Sequence, residues 1–187
     1  MSAKQALTTG ILMEITENKK KIIPMDVIAH IRKNHAMEHA TIHLLANIAP
    51  NITFSGYSLV KGYWILGKAE LQDVQKAAEM AYARLNNGEK KLAVHPNCGT
   101  NIAVIGLCTA AAAILTSVGE SDEESGLSRF TAMSAAGMIG ALAGKPLGPK
   151  VQEKFTTDAN VSDLSIVSIN CSSFRGTPLF FIETALN

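Results

Sequence analysis

Four of the five histidines fall between His30 and His43, three of them in the run Asn34-His35-Ala36-Met37-Glu38-His39-Ala40-Thr41-Ile42-His43. Residues four apart on a helix share a face. His35 and His39 therefore stack one turn apart, with Glu38 on the adjoining flank. Two imidazoles in that relation make a metal clamp, and a carboxylate beside them is placed to act as a base. His-x-x-Glu-His is the inverted form of the zinc protease helix signature. A second string, His95-Pro96-Asn97-Cys98-Gly99-Thr100-Asn101, holds the fifth histidine and a cysteine three residues later. Proline and glycine restrain that turn, so it can present an imidazole and a thiol at low entropic cost. Zinc accepts both donor types, and a catalytic site keeps one of its four positions open. The expected ligands are His35, His39 and Cys98, with His95 the second choice for the third place. If Cys98 and His95 both bind, the site is closed and structural.

In the open case Glu38 is the general base for water acidified by zinc, whose pKa falls towards about 7. Asn97, Thr100, Asn101 and the amides after Gly99 lie where a helix begins, a place that can hold an anion or a developing oxyanion. A plain N-cap and turn explains the same residues more simply. His43 follows His39 on nearly the same face, as a support to the ligands or as a packed residue. Thr41 reads as structural and His30 as a surface residue, while Cys108 and Cys171 read as small apolar side chains.

These residues need elements to hold them. Residues 1–23 read as a flexible N-terminal arm ending in Lys19-Lys20-Lys21, and 24–187 as a single α+β domain. A helix starts at Pro24 with Asp26 as its cap, carries the histidines and stops before Pro50. Residues 52–60 and 63–67 form a β-hairpin around Lys61-Gly62. A second helix covers 70–85, closed by Asn86-Asn87-Gly88, and a short strand at 91–94 delivers His95. Strands at 164–169 and 178–182 complete a small antiparallel sheet.

Between 101 and 150 a hydrophobic helical hairpin interrupts the domain. Residues 102–118 and 130–144 carry no charge, an acidic loop at 120–126 joins them, and Lys145-Pro146-Leu147-Gly148-Pro149 breaks the second helix. A spanning helix needs roughly 20 apolar residues. The first stretch qualifies; the second does so only if Lys145 snorkels. Gly140 and Gly144 would let the two helices pack closely in lipid. By the positive-inside rule the acidic loop faces out, while Lys145, Lys150 and Lys154 hold the other end in the cytoplasm.

Composition agrees with that picture. Charged residues make up 18% and aromatics 5% of 187 residues, against 47% hydrophobic. A net charge of +1 gives no basic footprint for nucleic acid. Three widely spaced cysteines make no disulfide framework and suit a reducing compartment. The N-terminus shows no cleavable signal-peptide pattern, and no Walker loop or dinucleotide fingerprint is present.

The strings His35-x-x-Glu38-His39-Ala-Thr-Ile and Leu-Ala-Val-His95-Pro-Asn-Cys98-Gly-Thr-Asn, with Pro146-Leu-Gly-Pro later, resemble an uncharacterised bacterial family found in cyanobacteria and similar phyla. A related family of metal-dependent membrane proteins carries similar paired strings. The resemblance runs from about residue 30 to 170 and implies a membrane-associated, metal-dependent protein without naming a substrate. Residues and resemblance together lead to one expectation. It is a zinc-dependent hydrolase, with peptides among its candidate substrates alongside small molecules, at the cytoplasmic face of the inner membrane and in contact with lipid. The alternatives are a non-catalytic membrane-associated scaffold with a structural zinc site, and a soluble cytoplasmic sensor using Cys98.

Overall fold

A computed structural model describes residues 25–118 and 126–187. The arm at 1–23 and most of the acidic hairpin loop lie outside the described residues. The architecture is mixed α+β, as expected. Among the described residues four helices accompany one antiparallel sheet: α1 (Met25–Ile48), β1 (Ser55–Leu59), β2 (Gly62–Leu66), α2 (Leu71–Asn86), α3 (Gly99–Ser117), α4 (Gly126–Val151), β3 (Leu164–Phe174) and β4 (Thr177–Leu186). A 3-10 turn, Lys90–Ala93, precedes α3, and a π-turn, Gln152–Thr156, follows α4.

The sheet order is β1-β2-β4-β3, so the C-terminal strands do complete the sheet begun by the first hairpin. Tyr63, Ile65, Phe180 and Ile182 of the two central strands are fully or almost fully buried. They pack with Met37, Ala40, Leu44 and Leu45 of α1 and with Val74, Ala81 and Leu85 of α2. The histidine helix is thus the hub of the core. One of its faces meets apolar neighbours, while His35 and Glu38 look along the flank towards β1. Two polar residues fix the helix against the sheet. Buried Asn34 donates to the carbonyls of Leu59 and Val60 at 2.8 and 3.1 Å, and accepts from the Thr184 hydroxyl at 2.6 Å. Thr41 donates to the Met37 carbonyl and meets the Tyr63 hydroxyl at 3.0 Å, consistent with its reading as a structural residue.

Helices α3 and α4 pack on each other along a stripe of buried glycines, Gly137, Gly140, Gly144 and Gly148. A Cβ on Gly144 would lie 2.8 Å from the Ile105 backbone, so only glycine permits this approach. The outward faces are apolar: Ile102, Leu107, Leu115, Phe130, Met138 and Ile139 are each at least two-thirds exposed. Among the described residues one helix, α3, is long and apolar enough to cross a membrane, and almost none of it is buried. Its 19 residues rise about 28 Å, close to the ~30 Å of a hydrocarbon core.

Four expectations need correction. Residues 91–94 are not a strand. The carbonyls of Ala93 and Val94, which a ladder would use, accept instead from His39 and His43. The run at 145–149 does not end α4, which continues through Pro146 and Pro149 to Val151. Each proline forfeits one helical hydrogen bond but keeps a helical φ, and contact of Gly148 with Asn101 holds this stretch against α3. Asp26 lies in the first turn of α1 rather than at its cap. His30 is half-buried, its Nε2 3.1 Å from the Thr184 hydroxyl, rather than a surface residue.

Candidate metal centre

The two motifs meet at the flank of α1. Nε2 of His35 lies 3.4 Å from Sγ of Cys98, and the rings of His35 and His39 are 4.3 Å apart. One donor atom from each of His35, His39 and Cys98 falls within 4.8 Å of the others, a cluster that could hold a metal ion. The second nitrogen of each imidazole is already engaged: His35 Nδ1 meets the Thr156 carbonyl at 2.9 Å, and His39 Nδ1 meets the Ala93 carbonyl at 2.8 Å. A carbonyl can only accept, so Nδ1 carries a proton in both rings and Nε2 is the atom turned towards the thiol. Metal-binding histidines are oriented by the same kind of outer contact. Two Nε2 atoms turned to one thiol make a donor set that zinc accepts.

Cys98 is the N-cap of α3, and its sulfur accepts from the Thr100 amide at 3.4 Å. Burial raises its pKa, but contacts with His35, His39 and Thr100 outweigh it and bring the thiol down to about 5. Thiolates at helix N-termini beside imidazoles are depressed in this way. For His35 burial works downward, and the bonds to Cys98 and Thr156 leave the pKa raised.

Glu38 projects from the same helix into the same cavity and is 6% exposed. Burial raises its pKa, opposed by the Ser58 hydrogen bond and the nearby imidazoles. The Ser58 hydroxyl donates to Oε2 in a short contact. On the other side Gly56 makes the fit possible, because a Cβ there would sit 2.5 Å from Glu38 Cγ and Oε1. A cavity of about 570 Å³ opens here, with the strand segment 53–58 on one side and 95–100 on the other.

His95 stands beside this cluster of three. Its ring is 5.7 Å from His39 and 4.8 Å from His43, and its Nδ1 accepts from the Asn97 amide at 3.2 Å. Burial and the two neighbouring imidazoles lower its pKa to about 4. His43 Nε2 lies 3.0 Å from the Val94 carbonyl, in a supporting position beneath the turn.

Two of the residues that hold the Cys98 turn in place, Gln152 and Arg32, carry no spacing signal in the sequence. Gln152, fully buried at the start of the π-turn, accepts from the His95 amide at 3.0 Å and donates to the His95 carbonyl and Asn101 Oδ1 at 3.0 and 2.5 Å. Asn101 donates to the carbonyls of His95 and Pro96. Arg32 donates to the carbonyls of Lys154 and Thr157 and ties the same turn back to α1. Asn101 therefore serves the turn, and Thr100 bonds the Thr156 hydroxyl at 3.4 Å. No sequence rule announces Gln152, 54 residues beyond Cys98; only its uncharged polarity at the end of an apolar helix hinted at a buried role.

Fold and site together define a class: an α+β domain in which one helix supplies two imidazoles and the foot of an apolar helical hairpin supplies a thiol. The chain belongs to the family described as a domain of unknown function, DUF6391, whose model matches residues 30–169. An uncharacterised protein of Picosynechococcus sp. strain PCC 7002 is 38% identical to it over 89 residues, 43% of each chain. The chain thus spans less than half the length of the curated relative it matches. No solved structure matches it.

Proposed function

We propose that the protein is a zinc-dependent hydrolase that cleaves amide bonds, with peptides as the leading substrate class. Zinc would be held by His35, His39 and Cys98, with Glu38 as general base. One observation carries this reading. The cluster of three donors and the buried Glu38 carboxylate line one cavity, which supports a metal held by those three residues with a general base beside it. When bound, the metal polarises a substrate carbonyl and acidifies water.

Glu38 does the proton work. Burial raises its pKa and makes the carboxylate a better proton acceptor than an exposed one. Ser58 occupies Oε2, which leaves Oε1 to accept a proton from the attacking water. The same oxygen returns that proton to the leaving nitrogen as the amide bond breaks, so nothing else need be consumed.

The proposal extends to location. The exposed apolar surface of α3 and α4 supports insertion of the hairpin in a membrane. Lys145, Lys150 and Lys154 near its feet favour a cytoplasmic position for the metal centre. Lipid would then be the protein's standing neighbour.

Glu38→Gln is the discriminating variant. The hydrolase reading expects about one zinc per chain in both proteins and a loss of about 100-fold or more in amide hydrolysis for the variant. Wild-type protein that binds zinc but hydrolyses nothing in a broad peptide panel would point to the scaffold reading. Wild-type protein that binds no metal would refute both.

A further inference from the structure

The cavity beside Glu38 is bounded along one side by a sheet edge. β1 is an outer strand of the order β1-β2-β4-β3, and among the described residues nothing pairs with its free side. The register fixes which backbone groups face that side. β1 and β2 are joined by a two-residue turn that makes Leu59 and Gly62 the closing pair, and such a pair is hydrogen-bonded. Antiparallel ladders alternate, so Ser55, Tyr57 and Leu59 direct their N–H and C=O groups at β2. Gly56 and Ser58 direct theirs away from it. The Lys61 carbonyl, which accepts from the Thr184 amide at 2.9 Å, sets the same phase from the far side of β2.

Gly56 and Ser58 are also the two residues of β1 that touch Glu38, one through its missing side chain and one through its hydroxyl. The outward-facing backbone groups therefore belong to the residues nearest the carboxylate. Natural edge strands are commonly blunted by charges, proline or bulges. Ser55-Gly56-Tyr57-Ser58-Leu59 has none of these, whereas the opposite edge, β3, carries a register shift between Ile166 and Ser168.

We propose that the free edge of β1 is a track for an extended polypeptide. The guest strand pairs through the backbone groups of Gly56 and Ser58 and lies in the cavity, its main chain passing Glu38 and the donors of His35, His39 and Cys98. The occupant is a peptide because the exposed groups are alternating main-chain donors and acceptors, which only another extended main chain matches over successive residues. Recognition through the backbone leaves the guest's side chains largely free, so the track selects extended conformation over sequence. This substrate assignment rests on the hydrolase reading, but the pairing itself can be tested without turnover.

The test is amide hydrogen exchange, resolved by residue, on the full chain in detergent. The probe is a pool of N-acetylated, C-amidated decapeptides of mixed Val, Thr, Leu and Ala sequence. The Gly56 and Ser58 amides are expected to exchange rapidly alone and to slow by roughly tenfold or more with the pool, while Tyr57 and Leu59 change little. A pool with every backbone nitrogen methylated should have no effect. The proposal is overturned if Gly56 and Ser58 do not respond, or if the methylated pool protects them equally. It is also overturned if they are protected without peptide. Protection that grows with protein concentration would then assign the edge to a second copy, and protection at every concentration to another segment of this chain. Running Cys98→Ala in parallel separates the two readings. Peptide protection retained in Cys98→Ala leaves the track standing without the metal, and wild-type protein that binds no zinc removes the hydrolase alone; zinc-dependent hydrolysis without protection removes the track alone.

Discussion

Adding one methyl group at Gly56 tests how Glu38 is held. In Gly56→Ala the new Cβ would stand 2.5 Å from Glu38 Cγ and Oε1 and 2.6 Å from Cδ, where ordinary contact begins at 3.4 Å. Either the carboxylate or the strand has to retreat by about 1 Å, and overpacking of this kind costs about 1–3 kcal/mol. With a urea m-value of about 2 kcal/mol/M, a loss of about 2 kcal/mol lowers the unfolding midpoint by about 1 M. Gly99→Ala is the matched control, since nothing lies within 4 Å of a Cβ there; its midpoint should hold or rise. Zinc stoichiometry should not change, because none of the three donors touches Gly56, whereas hydrolysis should fall as Glu38 is displaced. The decisive comparison is a double-mutant cycle. In a Glu38→Ala background the carboxylate that the methyl collides with is gone, so the Gly56→Ala penalty should vanish. An equal penalty in both backgrounds would refute the claim that Gly56 is glycine because Glu38 lies against it.

Other outcomes follow from the same geometry. The Cys98 thiol, at about 5 in the fold against an ordinary value near 9, should be alkylated by iodoacetamide with a half-maximal rate near pH 5. The sample is chelator-treated protein carrying Cys108→Ser and Cys171→Ser, and a rate still climbing at pH 8 would contradict the hydrogen bonds drawn to it. Between those pH values the unfolded chain holds the extra proton. Stability of that protein should therefore rise with pH across the window and be lost as pH falls through about 5. Gln152→Leu removes the partners of the His95 amide and of Asn101. Zinc affinity should drop about tenfold or more with a destabilisation of about 2–4 kcal/mol, and unchanged affinity by competition titration would show that the turn holds itself. If the hairpin is inserted, the protein should stay with membranes through an alkaline carbonate wash; release into the supernatant would count against insertion.

What the sequence disclosed depended on whether the signal was local. His35 and His39 could be paired from helical periodicity alone, and the hairpin of β1 and β2 from its aromatic and β-branched runs. Cys98 could be named as their partner from ligand chemistry, because a thiol on a restrained turn has few other uses. Segment 91–94 reads as a strand until its carbonyls are seen to be taken by His39 and His43, contacts across more than 50 residues that no window detects. The extension of α4 through two prolines was hidden for a related reason. Local propensity favours a break there, and the close contacts that the glycine stripe makes with α3 override it. Ser58 and Gly56 drew no notice as chemistry, since a serine and a glycine in a strand acquire meaning only when α1 is laid across them.

The way the cysteine turn is held bears on whether a metal would be structural or catalytic. Structural zinc usually supplies folding energy to a site that cannot assemble without it. Here the segment presenting Cys98 is fastened by Gln152 and Asn101, which bond the backbone of His95 and Pro96, and Arg32 ties the π-turn that carries Gln152 to α1. Both imidazoles are oriented by carbonyls from two different segments, Thr156 and Ala93. Protein contacts alone orient both imidazoles and the turn that carries the thiol. Sites built to bind a ready-made ion and keep a position for substrate have this preorganised character. The buried carboxylate beside them lies outside the cluster of three donors and costs stability. Under the proposed hydrolase reading, proton transfer by Glu38 accounts for that cost.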